Sequence, residues 1–128
     1  MNHENQHIIL KTDALAIGYN SKKEETVIAS NINIELKKGE LVGLVGANGI
    51  GKSTLLRTLT KIQNKLSGNI ILNEQSLDNY SNIDLAKTLS LVLTEAVSSK
   101  NLTIYELVAL GRQPYTNWVG NLSKVDKD

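Results

Sequence analysis

Polar and apolar residues alternate strictly over residues 31–37, which predicts a strand with one buried face. Residues 7–17 are also strand-like, with partial alternation, and the charged stretch 21–25 between the two indicates a hairpin loop. Apolar side chains dominate residues 40–45, the pattern typical of a buried parallel strand. The first third of the chain is therefore predicted to be rich in strands.

Helical spacing of apolar residues begins after residue 52. Leu55, Leu56 and Leu59 predict a helix over residues 53–61. Beyond this helix the pattern predicts a series of short elements: a strand at 69–72, a turn at 73–74, a return at 75–77, a helix at 82–88, an apolar strand at 89–93 and a surface loop at 94–101.

The last predicted helix carries its own start signal. Thr103 and Glu106 have the spacing of a capping box, in which each side chain accepts a hydrogen bond from the backbone of the other residue. We expect this helix to continue to about Leu110 and to end at Gly111, with Pro114 beyond it.

A glycine-rich segment joins the strand predicted at 40–45 to the helix predicted at 53–61. It reads Gly46-Ala47-Asn48-Gly49-Ile50-Gly51-Lys52-Ser53, which fits the phosphate-binding loop pattern G-x-x-x-x-G-K-[ST]. A chain of this length would contain the fixed letters by chance on the order of once in two hundred. Strand, glycine-rich turn and helix are also the order that this loop requires, so the sequence predicts a nucleoside-triphosphate site.

Each residue type in the loop has a physical role at such a site. Glycines let backbone N–H groups converge on phosphate oxygens without Cβ clashes, and the helix N-terminus adds partial positive charge at the same point. Lys52 is expected to reach the β- and γ-phosphates, and the Ser53 hydroxyl is expected to bind Mg²⁺. The alternative is a glycine-rich turn that binds no ligand.

Composition limits the class of protein. The 128 residues suit one domain at most, and 41% apolar residues are enough for a core. A net charge of +1 argues against a nucleic-acid partner, and the absence of cysteine excludes disulfides and thiolate metal sites. The polar N-terminus is unlike a signal peptide, and no apolar run approaches the roughly 20 residues that cross a bilayer.

Several segments then carry a family resemblance: Gly18-Tyr19, residues 32–36, Gly39-Glu40, the phosphate loop with Thr54-Leu55-Leu56 after it, and residues 67–70. In this order they resemble the N-terminal half of an ABC-type ATPase domain. Residues 103–115, Thr-Ile-Tyr-Glu-Leu-Val-Ala-Leu-Gly-Arg-Gln-Pro-Tyr, are similar to T-V-x-E-L-V-x-x-G-R-x-P-[YH]. That segment is typical of ATPases that serve iron–siderophore, haem and cobalamin importers.

The resemblance implies an α/β fold of the P-loop NTPase class, as a partial ABC ATPase domain. It would contain an antiparallel β subdomain, an incomplete RecA-like core and the start of the helical subdomain at about residues 99–128. Residues 1–128 would be the N-terminal part of one domain, with residues 1–7 a flexible tail. No L-S-G-G-Q signature, strand ending in Asp-Glu or later switch histidine is found. We therefore expect the C-terminal half to be absent, and the fragment to bind ATP, to hydrolyse it poorly and to be marginally stable.

The resemblance also implies ATP and Mg²⁺ as cofactors. The residues that would bind the nucleotide are Tyr19, Gly46, Ala47, Asn48, Gly49, Ile50, Gly51, Lys52, Ser53 and Thr54. Tyr19 matches the aromatic residue that stacks on adenine; by position alone it could equally anchor a hairpin.

Glu95 falls where the family usually has the glutamine that touches Mg²⁺ or the attacking water. By this match, Lys52 and Glu95 are the candidate catalytic residues, and Ser53 and Glu95 are the candidate metal ligands. An exposed loop glutamate is the alternative for Glu95.

The implied function is that of an ATP-binding subunit that energises an importer. Its partners would be transmembrane permease subunits and a second ATPase copy in a homodimer, with no direct contact with the transported solute. It would lie in the cytoplasm, peripheral to the cell membrane. Arg112, Tyr115 and Trp118 would lead to the permease-facing surface; ordinary internal packing is the alternative for Trp118. The alternatives are a nucleotide-binding or regulatory module without a transport or hydrolysis role, and another P-loop enzyme such as a kinase or GTPase.

Overall fold

The computed structural model describes residues 7–92, 94, 101–116 and 122–127. The chain divides into two compact units, Met1–Tyr80 and Ser81–Asp128, which are described separately. In the described residues no helix is both long enough and apolar enough to cross a lipid bilayer.

In its described part, the first unit is built on a five-stranded antiparallel sheet beside one α-helix. The strands are β1 (Ile8–Asn20), β2 (Glu25–Ile32), β3 (Glu35–Lys37), β4 (Ser67–Leu72) and β5 (Gln75–Ser76), and the helix is α1 (Lys52–Leu59). The spatial order is β2-β1-β4-β5, and β3 pairs with β1 as well. A 3₁₀ turn at Leu77–Asn79 follows β5.

The long strand β1 is paired on both edges. One edge pairs first with β3, through Leu10 and Leu36, and then with β2, through Tyr19 and Thr26, while the other edge pairs with β4. Apolar side chains of these strands, of α1 and of the 3₁₀ turn form the core of the unit, which contains Leu10, Leu15, Ala16, Ile17, Leu59, Ile70, Leu72 and Leu77. The predicted strand at 69–72, the turn at 73–74 and the return after it are confirmed.

The single strand predicted at 31–37 is wrong, because the chain breaks there into β2 and β3. Asn31 has a left-handed backbone, with φ of 53°, and the Asn33 side chain accepts a hydrogen bond from the N–H of Ala14 at 2.8 Å. The buried Thr12 hydroxyl bridges the break, since it donates to the carbonyl of Ile32 at 2.9 Å and accepts from the N–H of Ile34 at 3.0 Å. The Thr12 N–H also donates to the Ile34 carbonyl at 2.9 Å, so side chains and one backbone bond together connect the break to β1.

The strand predicted at 40–45 is also wrong within the described structure. These residues have no assigned secondary structure, and their side chains are exposed, Leu41 at 99% and Val45 at 91%. Residues 89–92 of the strand predicted at 89–93 are likewise unassigned, and Val92 is 93% exposed. A strand requires a hydrogen-bonded neighbour, and neither segment has one among the residues that the structure describes.

The described part of the second unit is helical. It contains α2 (Asn82–Thr88), α3 (Ile104–Leu110), a 3₁₀ turn at Gln113–Tyr115 and the short α4 (Lys124–Lys127). The capping box predicted for α3 is confirmed, because the Thr103 side chain accepts from the N–H of Glu106 and the Glu106 side chain accepts from the N–H of Thr103. Two hydrogen bonds donated to its carboxylate, first from the Thr103 backbone N–H and then from the Thr103 hydroxyl, lower the pKa of Glu106.

The Asp126 side chain in α4 contacts Arg112, the residue that precedes the 3₁₀ turn. Its carboxylate accepts from the hydroxyl of Ser123 at 2.6 Å and from Nε of Arg112 at 2.6 Å, and the Arg112 guanidinium lies 4.4 Å from the centre of the Tyr115 ring. The Ser123 hydroxyl, the Ser123 backbone N–H and Arg112, in that order, lower the pKa of Asp126 from 3.8 to about 2.

We expect Thr12→Val to lower the free energy of unfolding by about 1–3 kcal/mol, because it leaves the Ile34 N–H and the Ile32 carbonyl without the bridging hydroxyl. Urea unfolding monitored by circular dichroism measures this. The control is Thr26→Val on the exposed part of β2, which should change stability by less than about 0.5 kcal/mol. Equal effects of the two substitutions would contradict the bridging role of Thr12.

We expect the Asp126 carboxyl to titrate near pH 2 in the full chain. Because its pKa is lowered on folding, its contribution to stability is present above its ordinary pKa of 3.8 and is lost as the pH falls towards about 2. A carboxyl ¹³C titration measures this pKa. Ser123→Ala and Arg112→Gln should each raise it, and an unchanged pKa in Ser123→Ala would contradict the assignment of the Ser123 hydroxyl as a cause.

Candidate nucleotide-binding site

The phosphate loop at residues 46–53 depends on glycine geometry. Gly49 and Gly51 have φ of 82° and 114°, a left-handed region that disfavours residues with a Cβ. At Gly51 a Cβ would also lie 2.5 Å from Cγ2 of Ile28 on β2. Gly51 is therefore required both by its backbone conformation and by the close approach of β2.

Gly51 is the N-cap of α1, so the loop leads directly into the helix start. No side chain caps this end, and the first turn contains no acidic residue. The Leu55 N–H is the first intrahelical donor and donates to the Gly51 carbonyl at 2.9 Å, so the N–H groups of residues 52–54 have no carbonyl acceptor within the helix. These N–H groups and the helix dipole favour an anion at this position.

Lys52 folds back over the loop. Its ammonium donates to the carbonyls of Gly46 at 2.6 Å and of Ala47 at 2.7 Å. The Ile50 N–H also donates to the Ala47 carbonyl, at 3.3 Å, which closes the turn at the tip of the loop. The positive charge of Lys52 therefore lies at the loop and not in solution away from it.

A cleft of 260 Å³ opens at the helix start, lined by Tyr19, Ile28, Asn48, Gly49, Gly51, Lys52, Ser53 and Thr54. Most residues predicted to bind the nucleotide thus come together here, although Tyr19 is remote from the loop in sequence. Of the remaining predicted residues, Gly46 and Ala47 bind the Lys52 ammonium through their carbonyls, and Ile50 lies at the loop tip with its side chain 60% exposed.

Ile28 is a lining residue that the sequence analysis missed. It lies on β2, where the register pairs Gly18 with Val27 and Tyr19 with Thr26. The sequence signal for this lining residue was the apolar pair Val27-Ile28 after the charged hairpin. Antiparallel pairing across the hairpin brings this pair to the Gly18-Tyr19 end of β1. Ile28 gives the cleft an apolar wall next to the tyrosine ring.

Two predicted residues lie outside the described part of the chain: Glu95, the second candidate metal ligand and catalytic residue, and Trp118. Among the described residues, no group of three or more acidic or histidine side chains could hold a metal ion. Ser53 nevertheless suits Mg²⁺, which commonly takes only one or two protein oxygens and completes its shell with phosphates and water. An uncapped helix start, a lysine and an adjacent hydroxyl together fit a magnesium-bound triphosphate.

The fold agrees with that of a solved structure, cbiO1 from Clostridium perfringens, described as part of the ABC transporter complex cbiONQ. The TM-score is 0.54 at 32% sequence identity, over 65% of this chain and 32% of that chain. The antiparallel sheet, the phosphate loop and this similarity define a P-loop NTPase of the α/β class. Over residues 29–127 the sequence matches the family model described as ABC transporter. The chain belongs to the ABC transporter family.

Relatives with similar sequences are ATP-binding proteins. The chain is 40% identical to an ABC transporter ATP-binding protein of Methanocaldococcus jannaschii, over 93% of this chain and 40% of that protein. It is 35% identical to the iron(3+)-hydroxamate import ATP-binding protein FhuC of Bacillus subtilis, over 92% of this chain and 42% of that protein. The ferric enterobactin transport ATP-binding protein FepC of Escherichia coli is 32% identical, over 85% and 40%. The chain thus spans about two fifths of the length of these relatives.

We expect Gly51→Ala to lower the free energy of unfolding by about 1–3 kcal/mol, because alanine is strained at φ of 114° and its Cβ would collide with Ile28. Gly43→Ala is the matched control, since a Cβ there has no atom within 4 Å. Urea unfolding of both variants measures the difference. Equal stability of the two variants would contradict the packing of the loop against β2.

Proposed function

We propose that this chain binds magnesium ATP through residues 46–54 and Tyr19, as the N-terminal part of one ABC-type ATP-binding domain. The observation that carries this proposal is the start of α1, where an uncapped helix, a left-handed Gly51 and the Lys52 ammonium meet at one cleft. The N–H groups of residues 52–54 would bind phosphate oxygens, Lys52 would neutralise the β- and γ-phosphates, and Ser53 would bind Mg²⁺.

The base would bind at the part of the cleft that Tyr19 and Ile28 line. The Tyr19 ring, 50% exposed, and the side chain of Ile28 offer an aromatic face and an apolar surface there. Such surfaces suit a flat heterocycle, because stacking and apolar burial require no hydrogen-bond partner on the base. Tyr19 and the phosphate loop would thus bind the two ends of one nucleotide.

Binding and hydrolysis place different demands on this site. Phosphoryl transfer to water requires a group that orients or activates the water, and general-base assistance typically contributes about 10²–10⁴-fold. The described residues that line the cleft include no carboxylate. We therefore propose that this chain binds ATP and hydrolyses it slowly, and that hydrolysis coupled to transport belongs to the complete domain. The same observation favours a second candidate function, a nucleotide-binding module without a hydrolytic role.

The transport role rests on the relatives. Two of them are named for the import or transport of ferric complexes, which favours the energising of an iron–siderophore importer over another cargo class. The partners would be transmembrane permease subunits and a second ATPase copy, with the chain at the cytoplasmic side of the membrane. Glu95 is proposed as a second oxygen ligand near Mg²⁺.

We expect Lys52→Ala to weaken magnesium ATP binding about ten- to hundredfold, since it removes the charge-assisted hydrogen bonds to the phosphates. Titration calorimetry on the full chain measures the affinity, and release of inorganic phosphate measures hydrolysis. Lys22→Ala, in the exposed hairpin, is the matched control for loss of one positive charge and should bind like the unmodified chain.

Equal affinities of Lys52→Ala and Lys22→Ala would contradict the phosphate site. Hydrolysis by the unmodified chain at rates of about 1 s⁻¹, within the ordinary range of enzymes, would contradict the proposal that this chain hydrolyses ATP slowly. Hydrolysis near background together with Lys52-dependent binding would support it.

A further inference from the structure

A hydrogen bond joins two of the residues that line the cleft. The hydroxyls of Tyr19, near the end of β1, and of Thr54, in the first turn of α1, lie 3.2 Å apart. Thr54 is only 6% exposed, so its side chain has little access to solvent. The bond spans 35 positions in sequence and connects the aromatic wall to the helix start that follows the phosphate loop.

The backbone beside Tyr19 is fixed as well. The Gln63 side chain, which follows α1, donates to the Gly18 carbonyl at 2.6 Å. A Cβ on Gly18 would lie 2.0 Å from the Thr26 carbonyl oxygen, so β2 approaches Gly18 closely. The segment Gly18-Tyr19 is therefore held from both ends of α1, by Thr54 at the start of the helix and by Gln63 beyond its end.

The contact between the two hydroxyls leaves one group of each residue available to a nucleotide, the backbone N–H of Thr54 and the ring face of Tyr19. The Thr54 backbone N–H has no acceptor within the helix, so it can donate to a phosphate while the Thr54 hydroxyl contacts Tyr19. Because the Tyr19 hydroxyl contacts Thr54, the face of the ring is what remains for a base. A ring fixed in this way loses little further freedom when a ligand binds, and such preorganisation raises affinity.

We propose that Thr54 is a positioning residue, whose hydroxyl holds the Tyr19 ring at a fixed separation from the phosphate loop so that the base and the triphosphate of one nucleotide bind together. This inference rests on the proposed nucleotide site and specifies how its two halves are joined. It predicts a contribution of the Tyr19–Thr54 bond to the binding of a nucleoside triphosphate that is absent from the binding of a triphosphate without a base.

The test compares magnesium ATP with magnesium tripolyphosphate, which lacks the base and the ribose. Affinities of the full chain for both ligands are measured for the unmodified protein, Thr54→Val, Thr54→Ser, Tyr19→Phe and the double variant Tyr19→Phe/Thr54→Val. Valine has nearly the shape of threonine without its hydroxyl, phenylalanine keeps the ring, and serine keeps a hydroxyl. The quantity that decides is the ratio of the two affinities within each variant.

Thr54→Val and Tyr19→Phe should each lower the ratio of ATP to tripolyphosphate affinity about three- to tenfold, the range expected for one net hydrogen bond. The double variant should lower it no further, because both single substitutions break the same bond. Thr54→Ser should keep the ratio within about twofold of that of the unmodified chain. The ratio is insensitive to partial unfolding, since a smaller folded fraction weakens both ligands by the same factor.

Three outcomes would overturn the inference: an unchanged ratio in Thr54→Val, a fall in Thr54→Ser equal to that in Thr54→Val, or additive effects in the double variant. They are distinguishable from failure of the proposed function. A nucleotide site that does not exist would give no Lys52-dependent binding of either ligand to the unmodified chain, and this result would remove both proposals together.

Discussion

Hydrogen bonding along both edges of β1 is the constraint on which the first unit depends. The N-terminal half of this strand holds β3 on one side and β4 on the other, and its C-terminal half pairs with β2. The same strand therefore connects β2, β3 and β4 in one sheet and places Tyr19 beside the start of α1. The cleft exists because β1 continues through Gly18 and Tyr19, where a close approach to β2 requires that residue 18 have no side chain.

The sequence predicted best the features that are local. The capping box at Thr103, the turn after β4 and the phosphate loop are each specified by residues within a few positions of one another, and the structure has the elements where the sequence indicates them. In such segments the residue type favours the backbone conformation directly, because glycine and asparagine adopt a left-handed conformation more readily than other residues and a threonine side chain can cap a helix start.

The sequence predicted less well what depends on distant partners. Residues 31–37 do alternate between polar and apolar, yet the segment breaks into two strands, and the side chain of Thr12, some twenty positions away, bridges the break. The apolar pattern at 40–45 describes a buried strand, but among the described residues it has no neighbour to pair with. The position of Ile28 in the cleft could not be predicted, because it depends on the register of the β1–β2 hairpin, which the alternation of polar and apolar residues does not determine.

The two ends of the phosphate loop are supported unequally. At its end, Gly51 packs against Ile28, and α1 is tied to β1 through Thr54 and Gln63. At its beginning, Gly46 follows an exposed segment, and its carbonyl is bound by the ammonium of Lys52.

In the proposed complex, a triphosphate would have to share the Lys52 ammonium with two loop carbonyls or displace it from them, whereas the helix start already presents N–H groups without an intrahelical acceptor. Under the proposed function, the helix end of the loop would supply a fixed anion site, and Lys52 would be the part of the loop that rearranges on binding. Any contact that supported the beginning of the loop independently of Lys52 would leave more of the hydrogen-bonding capacity of the ammonium for the phosphates, and would raise affinity without adding a contact to the nucleotide.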